Sequence, residues 1–408
     1  MNAPSPAGAR LPAPQEANAL AVRAALLYGN FAIGCGVMVV AGSLNDLVRS
    51  LGVSVAMGGQ LISVGAACLC FGAPLLAAAV AGWDRRRLLT AALLWFALGH
   101  ALCALAPNFA LLMPLRAAAV LAAAVFTPQA AAAIGHMTPP NQRGRAITTI
   151  FLGWSLSSVL GMPVHAYIGE TFGWRWAYAL VVLLSLSSAA WVWRVMPDGV
   201  KPPALSLASW REVFTHPVLM AFVAVTALFS AGQFTLFSYL APFYREVLHA
   251  DAGGISLLFM GFGAFGVLGN VFVTRHVDRI GPARANGIAV ALMALSMLLW
   301  PLGVAAGSLA VMLAVTAPWA LGCFSANSAQ QARLSHTAPA LAPALMALNT
   351  SAIYFGQAAG AASGGLLLGE RGPGAYDALH WVGLVWLLAA LALSAWAERR
   401  IARDPDHV

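Results

Sequence analysis

Charge is what this 408-residue sequence has least of. Only 9% of its residues are charged, against about 25% in soluble domains. Its 22 basic and 14 acidic side chains cannot cover a water-exposed surface of this size, which excludes an ordinary soluble enzyme. Lysine occurs once, at Lys201. The five cysteines (Cys35, Cys68, Cys70, Cys103 and Cys323) all fall inside apolar stretches, and they read as small apolar fillers without a disulfide or metal role. No GxxxxGK[ST] loop is present, so ATP is not expected to drive the protein. The nine histidines show no HxxxH or HExxH spacing, which argues against an intramembrane metalloenzyme. No metal, no cofactor and no enzymatic activity are expected. The 39 glycines and 23 prolines are scattered, which excludes a collagen-like repeat.

What the sequence has in abundance is apolar length. It is 60% hydrophobic, with a mean hydropathy of +0.79. Windows of about 19 residues give twelve apolar spans, near 24–44, 56–80, 88–106, 109–135, 146–168, 176–196, 217–240, 253–274, 285–304, 308–329, 343–367 and 379–397. Each can cross the ~30 Å hydrocarbon core as a helix. The expected fold is an all-α membrane protein of twelve transmembrane helices.

Arginine placement gives the orientation. One set of connections carries Arg85, Arg86, Arg87, Arg143, Arg145, Arg194, Lys201, Arg211, Arg275, Arg279, Arg284 and Arg333. The tails add Arg10, Arg23, Arg399, Arg400 and Arg403, and the alternate connections hold only Arg49, Arg175, Arg245 and Arg371. Both termini are therefore expected in the cytoplasm. The net charge of +8 is topological and calls for no nucleic-acid partner. Residues 1–20, rich in Pro and Ala, read as a cytoplasmic tail and not as a signal peptide.

The polar, proline-bearing segment 197–216 divides the spans into two sets of six. The expected organisation is a cytoplasmic tail at 1–22, a six-helix bundle at 23–197, a linker at 198–216, a second six-helix bundle at 217–398 and a tail at 399–408. The bundles echo one another. Asp84 with Arg85, Arg86 and Arg87 follows the second span, and Asp278 with Arg279, Ile280 and Gly281 follows the eighth. Parallel repeats of this kind enclose a substrate site near the midplane in transporters.

Several segments resemble one family. Val159-Leu160-Gly161-Met162-Pro163, followed by Gly169 and by Phe172-Gly173-Trp174-Arg175, is similar to the fifth-helix antiporter motif of the major facilitator superfamily. In particular it resembles the drug:proton antiporter group that includes arabinose-efflux-permease-like exporters. Gly269-Asn270 before Asp278-Arg279-Ile280-Gly281 resembles the loop motif between helices 8 and 9. Arg116 falls where the fourth-helix arginine of these exporters lies, and Leu348-Asn349-Thr350-Ser351-Ala352 with Gly360, Gly364 and Gly365 is similar to their eleventh helix. The resemblance implies the major facilitator fold and a secondary active transporter of a small molecule. Two departures bear on mechanism. The helix 1 position where relatives often carry a carboxylate is Val37, and His165 stands where the fifth-helix motif usually has glycine. All 14 carboxylates lie in loops, tails or span edges.

Candidate site residues follow from the cost of polar groups in hydrocarbon. Arg116 is the one strong cation inside a span; it either snorkels to the interface or faces a wet cavity, binding substrate or helping proton release. His165 reads as the only histidine well inside a span, as a proton carrier or as a packing histidine. It continues a stripe of Gly153, Ser157, Gly161 and Gly169 that, with Pro163, forms the helix-packing motif. Asn30, Gln129, Gln233, Asn349 and Gln357 are cavity candidates, with Phe126, Phe237 and Tyr354 among the aromatic walls; helix–helix glue is the alternative for each. Asp84, Arg85, Asp278 and Arg279 are candidates for a conformational latch on the cytoplasmic side. Gly261-Phe262-Gly263-Ala264-Phe265-Gly266 matches GxGxxG, but with no preceding strand it is a helix-packing run.

The expectation is proton-coupled efflux of a small organic compound, a drug, sugar or related metabolite, by a monomer in the cell inner membrane. Uniport or uptake of a neutral or anionic metabolite is the alternative within transport. The partners expected are the substrate, protons and the lipid bilayer.

Overall fold

In the computed structural model, residues 13–403 are described except 81, 140–142, 202–206, 339–340 and 372. Every regular element among them is helical. In chain order these are α1 (Ala13–Leu51), α2 (Val55–Ala79), α3 (Arg85–Ala104), α4 (Phe109–Met137), α5 (Arg143–Leu156), α6 (Met162–Thr171), α7 (Trp174–Val195) and α8 (Leu207–Thr215). They continue with α9 (Pro217–Phe237), α10 (Leu240–Glu246), α11 (Ala252–Ile280), α12 (Pro282–Ala306), α13 (Leu309–Thr337), α14 (Ala342–Arg371) and α15 (Leu379–Arg403). Ten stretches among the described residues are long and apolar enough to cross a membrane. The helical segments Arg143–Thr171 and Ala342–Arg371 lie where two more spans are expected. The first helix starts at Ala13, inside the stretch read as a tail, and α8 lies inside the stretch read as a linker.

Helix starts follow capping chemistry. Asp84 accepts from Arg87 N at 3.3 Å at the start of α3, Asn108 from Leu111 N at 3.0 Å before α4, and Asp251 from Gly254 N at 2.7 Å before α11. Each satisfies a backbone N–H that has no partner inside its helix. The turn from α11 to α12 needs Gly281 at φ +87°, with Pro282 opening the next helix.

Packing sorts the helices into two groups. The helices α3, α4 and α7 pack together with α1, while α9 packs on α14 and α15 and α12 on α13 and α15. The contacts that join the groups include α2 with α14, α1 with α10, and α11 with α6 and the segment just before it. Large apolar side chains such as Leu105, Trp176, Leu183, Leu302, Trp381 and Val385 are exposed on the outside, far more than a soluble monomer shows. The chain is a multi-pass membrane protein.

Both groups break a helix at a matching position. Within α1, Ser43 leaves helical geometry (φ −103°, ψ 17°) and its hydroxyl donates to Val39 O at 2.6 Å. The chain between α9 and α10 breaks at Ser238–Tyr239, about one repeat later. Both breaks face the end of the bundle that carries few arginines.

Candidate functional site

The segment expected as the fifth span is not a continuous α-helix. Between α5 and α6, Ser157–Gly161 forms a π turn, in which Met162 N donates to Ser157 O. Pro163 supplies the reason: it has no N–H for the carbonyl four residues back, so the ladder shifts register there. The glycines of the packing motif meet α1. A Cβ on Gly153 would lie 2.7 Å from Phe31 N, and one on Gly169 would lie 2.7 Å from Ser43 Cβ. On the opposite face, a Cβ on Gly263 of α11 would lie 2.7 Å from Val159 Cα. Glycine is what allows these backbones to approach.

Arg116 does not snorkel. It is 2% exposed, and its guanidinium ties α4 to α1 and α3. Nη1 donates to Gly36 O at 2.8 Å, Nη2 donates to Val37 O at 2.8 Å, and Nη1 lies 3.0 Å from His100 Nε2. His100 is fully buried on α3, which corrects the reading of His165 as the only histidine well inside a span. A histidine in a leucine-rich segment gave no sign of its partners. Arg116, Val37, Gly65, Val120 and Gln357 line one small central pocket of about 10 Å³, room for about one water. Gln357 comes from the second group of helices. Among the described residues, this pocket is too small to hold a substrate.

His165 is also fully buried, and neither ring nitrogen has a hydrogen-bond partner. Such a group is costly to keep in a packed interior. It faces α1 at Gly42, where a Cβ would lie 3.0 Å from His165 Cβ.

The remaining candidates divide. Asn30 accepts from Thr127 Oγ1 at 2.9 Å and donates to Leu26 O at 3.3 Å, and Phe126 packs against Gly29. In this conformation those two residues knit α1 to α4, their groups satisfied or covered inside the first bundle. Asn349 accepts from Thr226 Oγ1 at 2.6 Å and leaves its Nδ2 without a partner. Gln129, Gln233 and Tyr354 are buried. Phe237 is half-buried, in ring contact with Phe234, Phe259, Phe262 and Trp319.

The residues that join the two groups were missed by sequence reasoning. At the arginine-poor end, Glu170 on α6 pairs with Arg245 on α10 and accepts from Asn45 on α1. Asn45 also donates to Ala241 O at 3.2 Å, and Ser256 Oγ donates to Pro163 O at 3.1 Å. Tyr239 donates to Ala361 O at 2.6 Å and stands against Gly59 and Gly365. Ser63, Ala67, Phe71, Phe355, Ala359 and Ala362 line an apolar crevice of about 350 Å³ between α2 and α14. The groups are joined at the arginine-poor end.

The expected latch residues are engaged locally in this conformation. Asp84 Oδ2 accepts from Gly199 N at 2.6 Å, and Arg85 Nη1 donates to Trp83 O at 2.6 Å. Arg279 is exposed, and the side chain of Asp278 lies outside the described residues. Arg333, counted from sequence with the loops, is buried in α13, where it pairs with Glu398 and stacks on Phe222.

Two interlocking helical groups, joined at one end by the Glu170–Arg245 pair and holding Arg116 buried among the helices of the first, define a polytopic membrane bundle. The profile of the Major Facilitator Superfamily matches residues 26–361, and the chain belongs to that family. It is 26% identical over 348 residues to the "Probable sugar efflux transporter" of Pasteurella multocida (strain Pm70), covering 85% of this chain and 84% of that one. It is also 26% identical over 376 residues to the "Inner membrane transport protein YdhP" of Escherichia coli (strain K12), covering 92% and 95%. Among solved structures, it superposes on an inward-facing, unoccupied bacterial homologue of the human lysosomal transporter Spinster with a TM-score of 0.73, at 16% identity, over 97% of this chain and 99% of the other. A D-xylose-proton symporter superposes with a TM-score of 0.72 at 17% identity, over 92% and 97%. At those identities the likeness is one of fold.

Proposed function

We propose that this transporter exports a small organic compound in exchange for protons by alternating access. Twelve helices span the membrane with both termini in the cytoplasm, and residues 23–197 rock against residues 217–398 as a monomer in the cell inner membrane. The arginine-poor end is then the exterior, and the conformation described above is closed outside. The observation that carries this reading is the inter-group seal of Glu170, Arg245 and Asn45 on one side of a pocket shared by Arg116 and Gln357. The name of the Pasteurella relative makes sugars the first substrate class to try.

Asn30, Arg116, Phe126, Gln129, Gln233, Phe237, Asn349, Tyr354 and Gln357 remain the proposed substrate contacts once the pocket widens. His165 and Arg116 remain the proposed proton-coupling groups. Asp84, Arg85, Asp278 and Arg279 latch the cytoplasmic side when the exterior opens. Counterflow of labelled monosaccharides and of cationic drugs in proteoliposomes, with and without an imposed pH gradient, tests the reading. Gradient-driven accumulation of one of them supports it, and exchange indifferent to the gradient contradicts the proton step. One observation favours a second reading, uniport of a neutral or anionic metabolite: among the described residues the central pocket is lined by a cation and an amide and by no carboxylate.

A further inference from the structure

We propose that His100 is a proton-binding group of this transporter, and that it works by competing with Arg116 for a single acceptor, the carbonyl of Gly36. The proposal rests on the proton-coupled reading above and adds a residue and a mechanism to it.

The geometry is a three-way junction. His100 Nδ1 lies 2.8 Å from Phe96 O, one turn back on its own helix. Its Nε2 lies 3.0 Å from Arg116 Nη1 and 3.3 Å from Gly36 O. Arg116 Nη1 in turn lies 2.8 Å from the same Gly36 O. A guanidinium has only donors, so Nε2 must accept, and the ring is the neutral tautomer with its proton on Nδ1 pointing at Phe96 O. In that state Nε2 faces the Gly36 carbonyl lone pair against lone pair, and nothing but Arg116 holds it there.

Adding one proton at Nε2 reverses each of these relations. The new N–H points at Gly36 O, already within reach, and both ring nitrogens then face carbonyls. Arg116 loses an acceptor and finds a second positive charge beside Nη1. No covalent bond other than the new N–H forms or breaks. The guanidinium is driven off Gly36 toward the central pocket, which it already lines with Gln357 of the other group. Its Nε, which has no partner, and its link to Val37 O move with it. Proton binding in the first bundle thus becomes a displaced cation at the interface with the second.

The groups facing His100 allow this. From α4 comes Arg116, from α7 the Tyr178 ring at 5.6 Å, from α6 His165, and from α3 itself Cys103 near Arg116; α1 contributes the Gly36 carbonyl. Among the described residues none of these is a carboxylate, so no counter-charge balances a second positive charge beside Arg116, and a proton at Nε2 goes with displacement of the guanidinium. The conformation closed at the arginine-poor end therefore goes with unprotonated His100, and protonation favours opening there. That order suits an exchanger, which sheds its proton inward before loading substrate.

The test needs no substrate. Spin labels on Leu105→Cys and Ala306→Cys, both exposed at the arginine-poor end of opposite groups, report separation by pulsed dipolar spectroscopy in nanodiscs, in a Cys68→Ala background. Lowering the pH from about 8 to about 5.5 should raise the open-to-closed ratio about tenfold in this background. His100→Gln, which can still accept from Arg116 but cannot gain a proton, should change it less than about twofold. His276→Gln, at a histidine of α11 outside the proposed proton-coupling groups, should retain the response. A response that survives in His100→Gln overturns the proposal, as does a background protein that does not respond. Loss in His165→Gln with retention in His100→Gln moves the proton to His165, leaving the proton-coupled reading standing without this one. Solid-state NMR of the ¹⁵N-histidine-labelled wild-type chain needs no variant: the His100 signals should show a bare Nε2 at the higher pH and two protonated nitrogens at the lower. A single protonated nitrogen throughout also overturns the proposal.

Discussion

Arg245, on the short helix after the break in the seventh span, pairs with Glu170 at the end of the fifth, 75 residues away in sequence. The Glu170 side chain is 2% exposed, while that of Arg245 is 37% exposed. The pair sits where the two helix groups touch, so its strength sets how firmly that end stays shut.

Glu170→Gln should loosen this seal. Removing one partner of a buried ion pair costs about 3–5 kcal/mol, but Arg245 can rehydrate, so we expect about 1–2 kcal/mol against the closed state. That is roughly a tenfold shift in population. Spin-label distances at constant pH check it; an unchanged distribution would show that the apolar contacts alone hold the end closed.

Gly153→Val should damage the fold. Its side chain has no room against the α1 backbone at Phe31, and overpacking of this kind costs about 1–3 kcal/mol. The expected result is a lower melting temperature in detergent and less monodisperse protein. The same change at Gly287, where an added Cβ meets nothing within 4 Å, should be tolerated and serves as the control.

His165→Leu separates structure from function. Because neither ring nitrogen is paired, an apolar side chain of similar size should leave thermal stability unchanged or slightly raised. If His165 carries protons, gradient-driven transport should nevertheless vanish while counterflow persists. Full coupling in this variant would reduce His165 to packing.

Arg116→Lys keeps the charge but not the fork. One ammonium cannot reproduce the two bonds to Gly36 O and Val37 O together with the contact to His100. Counterflow should fall at least about tenfold with folded protein retained. Wild-type kinetics would mean that the fork has no part in transport.

The all-helical membrane bundle was legible in the sequence because hydrophobic length is a local signal. The packing glycines at 153, 161 and 169 were legible too, since four-residue spacing puts them on one helix face. The π turn at Ser157–Gly161 was not, although Pro163 marks the place where a ladder must yield. The seal escaped because Asn45, Glu170 and Arg245 look like ordinary span-edge residues until the fold brings them together. His100 escaped for the opposite reason: it lies within an apolar run, and only the carbonyls of α1 and Arg116 reveal its chemistry. Asn30 and Phe126 show the limit of the polarity argument, since an amide in a span is satisfied as well by Thr127 as by a substrate.

The most direct test is a reversible lock on the seal. Asn45→Cys with Ala241→Cys, joined by a short cleavable dithiol crosslinker in a Cys68→Ala background, ties α1 to α10 where the native side chain and carbonyl are 3.2 Å apart. In proteoliposomes, crosslinking should stop counterflow of whichever labelled sugar or drug the wild-type chain exchanges, and cleavage of the link should restore it. Transport that continues unchanged through a fully linked protein would contradict alternating access through this end of the molecule.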